Sequence, residues 1–213
     1  MSQQQQEENL VQWVYAAETP EELAERYDKW AATYEEDLDR DFGWYGPLHA
    51  VNAALKYIAK DARILDAGAG TGLVGVLLDE HGYDELVGMD MSQGMLDEAG
   101  KKGVYDELHQ MVMGEPLTYE TDSFDAVMSV GVLTVSHAPV ESLDELVRVT
   151  KPGGHIIYTL RPDLYEEGAF RAKHAELEAA GAWQLAEVSE PLQILPKGEP
   201  DVYHQVWVHE VTG

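Results

Sequence analysis

Between residues 63 and 160 the apolar positions switch period repeatedly. Short apolar runs at 63–67, 86–90, 108–113, 124–130 and 155–160 read as strands buried in a sheet. Between them, Leu, Val and Met recur every third or fourth position, as in a helix lying on that sheet. These helices are expected at 73–81, stopped by Gly82, at 92–99, capped by Ser92, and at 140–150. Lys151-Pro152-Gly153-Gly154 reads as a sharp break before the fifth strand. A helix at 165–180 and an antiparallel strand pair at 183–194 and 202–211 complete the pattern. Ahead of it, Thr19-Pro20-Glu21-Glu22 combines a cap, a first-position proline and an acid three residues after the cap. Leu23, Tyr27, Trp30, Ala31 and Tyr34 then share one helical face, and a second helix is expected at 45–60. The alternation predicts an α/β fold: a mostly parallel seven-stranded sheet with helices on both faces and an antiparallel C-terminal pair. Residues 1–18 read as a polar lead-in and 19–213 as one domain. Within it, 19–60 would form a helical lid, 61–160 a ligand-binding core, and 161–213 the closing helix and strand pair.

Composition narrows the function. The chain has 213 residues, no cysteine, and a formal net charge of −26 from 40 acidic and 14 basic residues. Without thiols, disulfides, thiolate metal sites and cysteine nucleophiles are excluded. The charge repels phosphate backbones and anionic membranes, which argues against nucleic-acid and membrane partners. No apolar run approaches the roughly 20 residues of a bilayer span, and residues 1–8 have neither a basic region nor an apolar signal core. The reading is a soluble, cytoplasmic protein. No Asp/His pattern suggests a metal site.

The strongest chemical signal is Ile64-Leu65-Asp66-Ala67-Gly68-Ala69-Gly70-Thr71-Gly72. A buried strand ends in an acid, and a turn stripped of side chains leads into a helix whose first N–H groups face the same place. Gly70, Gly72 and Gly75 also spell the dinucleotide pattern, with Asp90 about 20 residues on. An NAD(P)-dependent oxidoreductase is therefore one reading. Asp66 weighs against it, because a carboxylate just ahead of the glycines repels a pyrophosphate and attracts a cation. S-adenosylmethionine carries a sulfonium and an ammonium group and no phosphate. Asp90, ending the second strand, could accept both hydroxyls of a ribose in either case. A cofactor-binding protein without catalysis is a further reading.

Four motifs in order resemble the class I S-adenosylmethionine-dependent methyltransferases: Asp66–Gly72, Gly88-Met-Asp-Met-Ser92, Ser123-Phe-Asp-Ala-Val127 and Leu146-Val-Arg-Val-Thr-Lys-Pro-Gly-Gly154. Tyr27–Tyr34, Gly131–His137 and Leu177–Trp183 look most like the methyltransferase-like proteins of the Williams–Beuren syndrome region. The resemblance implies a Rossmann-like sandwich that uses S-adenosylmethionine and releases S-adenosylhomocysteine. It implies that Asp66, Ala67, Gly68, Gly70 and Gly72 border the methionyl and ribose parts, with Asp66 toward the ammonium. Asp90 would grip the ribose, Met91 would pack on adenine, Gly114 and Glu115 would meet the adenine edge, and Val130 and Gly131 would lie under the cofactor. Tyr27 and Tyr34 resemble an aromatic lid. In-line methyl transfer needs alignment and dryness more than acid–base machinery. His137, after the fourth strand, is the candidate base, and Tyr45, with Trp44 and His49, a candidate wall of the acceptor pocket. Ser129-Val-Gly-Val132 stands where methylases of amide and base nitrogens carry Asn-Pro-Pro-Tyr, which together with the charge points to a small-molecule acceptor. His204 and His209 read as structural.

Overall fold

The computed structural model describes residues 10–134 and 137–213; residues 1–9 of the expected lead-in lie outside them. The strands are β1 (Ile64–Ala67), β2 (Leu86–Asp90), β3 (Glu107–Gln110), β4 (Phe124–Ser129), β5 (Thr150–Leu160), β6 (Trp183–Val188) and β7 (Gln205–Val211). They form one sheet in the order β3-β2-β1-β4-β5-β7-β6. β1 to β5 pair in parallel, and β7 runs antiparallel between β5 and β6.

Adjacent residues of a strand point to opposite faces, and both faces are buried. Leu65, Val127 and Ile156 meet Leu143, Leu146 and Val149 of α7 (Ser142–Val149) and Leu177 of α9 (Ala169–Ala179). Their neighbours Ile64, Ala126 and Ile157 meet Ala50 and Val51 of α4 (Gly46–Ala54) and Val74 and Leu78 of α5 (Leu73–Glu80). The continuous apolar runs of the sequence have this cause: a parallel sheet covered twice offers no wet face.

A third cluster packs the N-terminal helices. α1 (Leu10–Tyr15) and α2 (Pro20–Trp30), with Leu38 and Phe42 of the π-turn Leu38–Phe42, close on Ile194 and Leu195. Within the expected lead-in, Leu10–Tyr15 is thus helical, because Val11 and Val14 have apolar surface to bury. Asp28 of α2 reaches the core. Its Oδ1 accepts from the Ser92 hydroxyl at 2.6 Å and the Gly94 N–H at 2.8 Å, capping α6 (Gln93–Lys102) together with Ser92 itself. Glu35 of α3 (Tyr34–Asp37) pairs with Lys102 at the other end of α6.

Several boundaries differ from expectation. The break at 151–154 is a bulge inside β5: Phe124 faces Thr150 and Ala126 faces His155, so the extra residues loop out without ending the strand. The helix expected at 165–180 is two, α8 (Pro162–Glu166) and α9, separated where Gly168 turns left-handed. β6 stops at Val188, short of Pro191, which lacks a ladder donor. An isolated bridge between Leu192 and His204 continues the pairing. The 45–60 helix ends at Ala54, and β3 ends at Gln110.

Candidate functional site

At the sheet's carboxyl edge the chain leaves β1 toward β2 on one side while β4 lies on the other. Such a switch of direction leaves a crevice at strand ends. It holds a cleft of about 590 Å³. Gly68 and Gly70 form its floor, Asp90 and Met91 one side, Val130 and Gly131 the other, and Tyr27, Tyr34 and His137 the roof. Gly70 has φ +54°, and a Cβ there would meet no atom within 4 Å, so bare backbone faces the open space.

The two acids do different things. Asp90 lies in the cleft. Its Oδ2 accepts from the Gly70 N–H and its Oδ1 from the Ser92 N–H, each at 2.9 Å. A carboxylate has about four lone-pair sites, so both oxygens keep capacity for a ligand's hydroxyls. Burial pushes its pKa up, against the pull of those backbone donors.

Asp66 is turned away. It is buried, does not line the cleft, and accepts the Tyr105 hydroxyl at Oδ2, 2.6 Å away. Tyr105 in turn accepts the Gly75 N–H of α5 at 3.1 Å. Gly75 is glycine because a Cβ would stand 2.3 Å from that tyrosine ring. Burial raises the Asp66 carboxyl to about 7, and its Oδ1 has no partner among the described residues. Tyr105 thus links the Asp66 carboxyl to the Gly75 N–H at the start of α5. Tyr105→Phe removes the Asp66 bond and the Gly75 acceptor together. It is expected to lower the unfolding free energy in urea by about 1–3 kcal/mol; an unchanged midpoint and slope would show that neither bond matters.

The roof is aromatic. Tyr27 stacks on Trp30 at 6.4 Å and meets Tyr34 edge-on at 6.3 Å. His137 bonds the Tyr27 hydroxyl through Nε2 at 2.8 Å and the Thr134 hydroxyl through Nδ1 at 2.6 Å. Burial lowers its pKa to about 4, so it is neutral near pH 7. With both nitrogens engaged, this imidazole orients the roof, and a role as base requires it to give up one of those bonds.

A second cavity, about 550 Å³, adjoins the cleft and shares Tyr27, Tyr34, Val130 and Gly131 with it. Trp44 lines it, and a Cβ on Gly131 would meet that indole at 3.0 Å. Tyr45, expected in this wall, is 45 % exposed and lines neither cavity, because it precedes α4 on the outer surface. Gly114 and Glu115 are exposed and also outside the cleft, since the chain turns away after Met113. Gly72 faces Tyr105 and Ala99, and Ala67 is buried within β1. The cleft instead gains Met89, Met95, Met111 and Met113 beside Met91. These scattered methionines carried no signal in the sequence, because only the β2–α6–β3 geometry brings them together. Polarisable thioethers suit the face of an aromatic ring.

The residues fit the expected nucleoside sulfonium. Gly70 leaves a bare floor, Asp90 offers free lone pairs at a strand end, the thioether wall suits adenine, and the ring faces of Tyr27 and Tyr34 would attract positive sulfur. The dinucleotide reading fares worse, because the Gly75 N–H at the start of α5 is already given to Tyr105.

Comparison with known proteins agrees. Residues 65–158 match a methyltransferase-domain family model. The chain is 38% identical over 181 residues to methyltransferase-like protein 27 of Homo sapiens, covering 80% of this chain and 73% of that one. A ubiquinone biosynthesis O-methyltransferase of Alkalilimnicola ehrlichii is 29% identical over 169 residues, covering 73% of this chain and 62% of its own length. Among solved structures, a SAM-dependent methyltransferase from Thermotoga maritima superposes with a TM-score of 0.62 at 20% identity, covering 88% of this chain and 98% of that one; this likeness speaks to the fold.

Proposed function

The chain belongs to the class I S-adenosylmethionine-dependent methyltransferases, and from that premise we propose that it methylates a small organic acceptor at an O, N or S atom. One observation carries the acceptor class: the bare-backbone cleft opens beside a second, aromatic cavity across the shared wall of Tyr27, Tyr34, Val130 and Gly131. S-adenosylmethionine supplies an activated methyl group on a cationic sulfur. In this reading Gly68, Gly70, Asp90 and Met91 hold it, and the surrounding thioethers bury its adenine. Tyr27 and Tyr34 separate the two cavities and keep water out, and His137 fixes Tyr27. The acceptor lies in the second cavity, in line with the methyl group.

The relative named for ubiquinone biosynthesis supports a small-molecule acceptor, and so does a charge of −26, which repels nucleic acid. Among the described residues no helix is long and apolar enough to cross a membrane; a cytoplasmic location belongs to the same proposal, as does one domain over 19–213 with 19–60 as its lid. Calorimetry tests the cofactor assignment. Micromolar affinity for S-adenosylhomocysteine is expected, with no heat from NADH. The reverse result would make the protein a dinucleotide enzyme. Release of S-adenosylhomocysteine on screening small acceptors separates an enzyme from a mere binder.

A further inference from the structure

The second cavity contains a polar group that the fold itself leaves unused. His204 is 8 % exposed and lines the cavity, and its Nδ1 is buried with no hydrogen-bond partner among the described residues. Its backbone is fixed: the Leu192 N–H donates to the His204 carbonyl at 2.7 Å, and the His204 N–H donates back at 2.8 Å. An imidazole nitrogen taken from water and left unsatisfied is destabilising until a donor meets it. His209 Nε2 is also unpartnered, but that ring is stacked on Trp183 at 3.8 Å in the sheet core and lines no cavity described here. His204 differs in lining a cavity.

The surroundings define what would fill that space. Tyr15, Trp30, Trp44, Leu38 and Leu195 give the cavity ring faces and aliphatic surface. Burial, with Arg161 nearby and partly offset by Asp163, lowers the His204 pKa to about 4, so the ring is uncharged near neutrality. The Arg161 guanidinium is already bonded through Nε and Nη2 to the Asp163 carboxylate, which leaves an anion no free ion pair. A cation would be repelled by the sulfonium in the adjoining cleft. A neutral, flat, largely apolar molecule remains, with one polar group to meet the imidazole.

We propose that His204 is the recognition residue of the acceptor site, and that the site takes a neutral aromatic compound whose hydroxyl donates a hydrogen bond to this imidazole. The inference rests on the methyltransferase reading above and adds the acceptor's class. His204 selects among ring compounds by pairing with the hydroxyl, because a ligand without that donor leaves the buried nitrogen unpaired.

The test uses the full chain saturated with S-adenosylhomocysteine at pH 7.5, and three probes: 2-naphthol, 2-methoxynaphthalene and 2-naphthoate. The wild type is expected to bind 2-naphthol at least tenfold more tightly than either of the others by calorimetry. His204→Phe should bring 2-naphthol and 2-methoxynaphthalene within twofold of each other while S-adenosylhomocysteine affinity stays within twofold of wild type. In ¹⁵N-labelled wild type the His204 ring-nitrogen resonance should move on adding 2-naphthol, a readout that needs no variant. The proposal is overturned if 2-naphthol does not bind, shows no preference over its methyl ether, keeps that preference in His204→Phe, or leaves the ring resonance in place. Failure of S-adenosylhomocysteine to bind the wild type would instead strike the underlying methyltransferase reading.

Discussion

Asp90→Ala is expected to weaken S-adenosylhomocysteine binding at least a hundredfold, about 2.7 kcal/mol, in a protein that still folds. The carboxylate holds the cleft in two ways. It fixes the glycine loop through the Gly70 N–H and the start of α6 through the Ser92 N–H, and both oxygens retain lone pairs facing the ligand. Removing it loses the ribose contacts and slackens the loop that carries them. The orphaned Gly70 N–H borders the open cleft, where water can reach it, whereas Ser92 is fully buried, so some stability is lost along with binding. Asp90→Asn separates the two effects, because its amide keeps one acceptor but turns a second donor toward an existing one. It should fall between wild type and Asp90→Ala. Calorimetric affinity within threefold of wild type for Asp90→Ala would remove Asp90 from the cofactor site.

The second large effect is on acid stability. Tyr158 bonds His174 at 2.8 Å and His209 at 3.3 Å, with Trp183 stacked on the latter, all within the packing of β5, β6, β7 and α9. Burial drives His174 down to about 4 and His209 to about 3. An unfolded histidine titrates near 6.5. Between those values the unfolded chain binds protons that the folded chain refuses, so stability is full above pH 6.5 and falls as the pH drops toward 4 and 3. For His209 alone, going from pH 6.5 to 5 costs roughly 2 kcal/mol. Asp66 runs the other way, because its raised carboxyl favours the folded state in acid, and surface carboxylates relieve self-repulsion as they protonate. A paired measurement cancels both: urea unfolding of wild type and His209→Phe in molar KCl at pH 7.5 and pH 5. The variant should gain about 2 kcal/mol relative to wild type at the lower pH. Identical pH dependence would mean that His209 is not held neutral.

What the sequence could reveal was local in kind. The run from Ile64 to Asp66, the glycine turn and the second strand ending at Asp90 are each contiguous stretches with a recognisable pattern, and their order along the chain predicts the sheet. Tyr27 and Tyr34 were legible as a helical face at a known place before the first motif. The pieces that were not legible act across the fold. Tyr105 meets Asp66 from a loop 39 residues away, and a lone tyrosine there has no pattern to mark it. Met111 and Met113 fall inside the strand expected at 108–113, and it is the end of β3 at Gln110 that frees them to line the cleft. His204 reads as structural in the sequence, and only the bridge to Leu192, beyond Pro191, carries it to the second cavity. Asp66 stands beside the glycine turn in the sequence, but it bonds Tyr105 and does not line the cleft, a partner that spacing cannot show.

Asp28 joins two things usually thought of separately. The same carboxylate belongs to the lid helix and to the cap of α6, one turn beyond Asp90. Moving α2 outward therefore strips the Gly94 amide of its acceptor and loosens the start of α6 behind Asp90. Under the proposed cofactor assignment, thermodynamic reciprocity follows: whatever a nucleoside held by Asp90 gains from a firm strand end it returns as bias toward a docked α2.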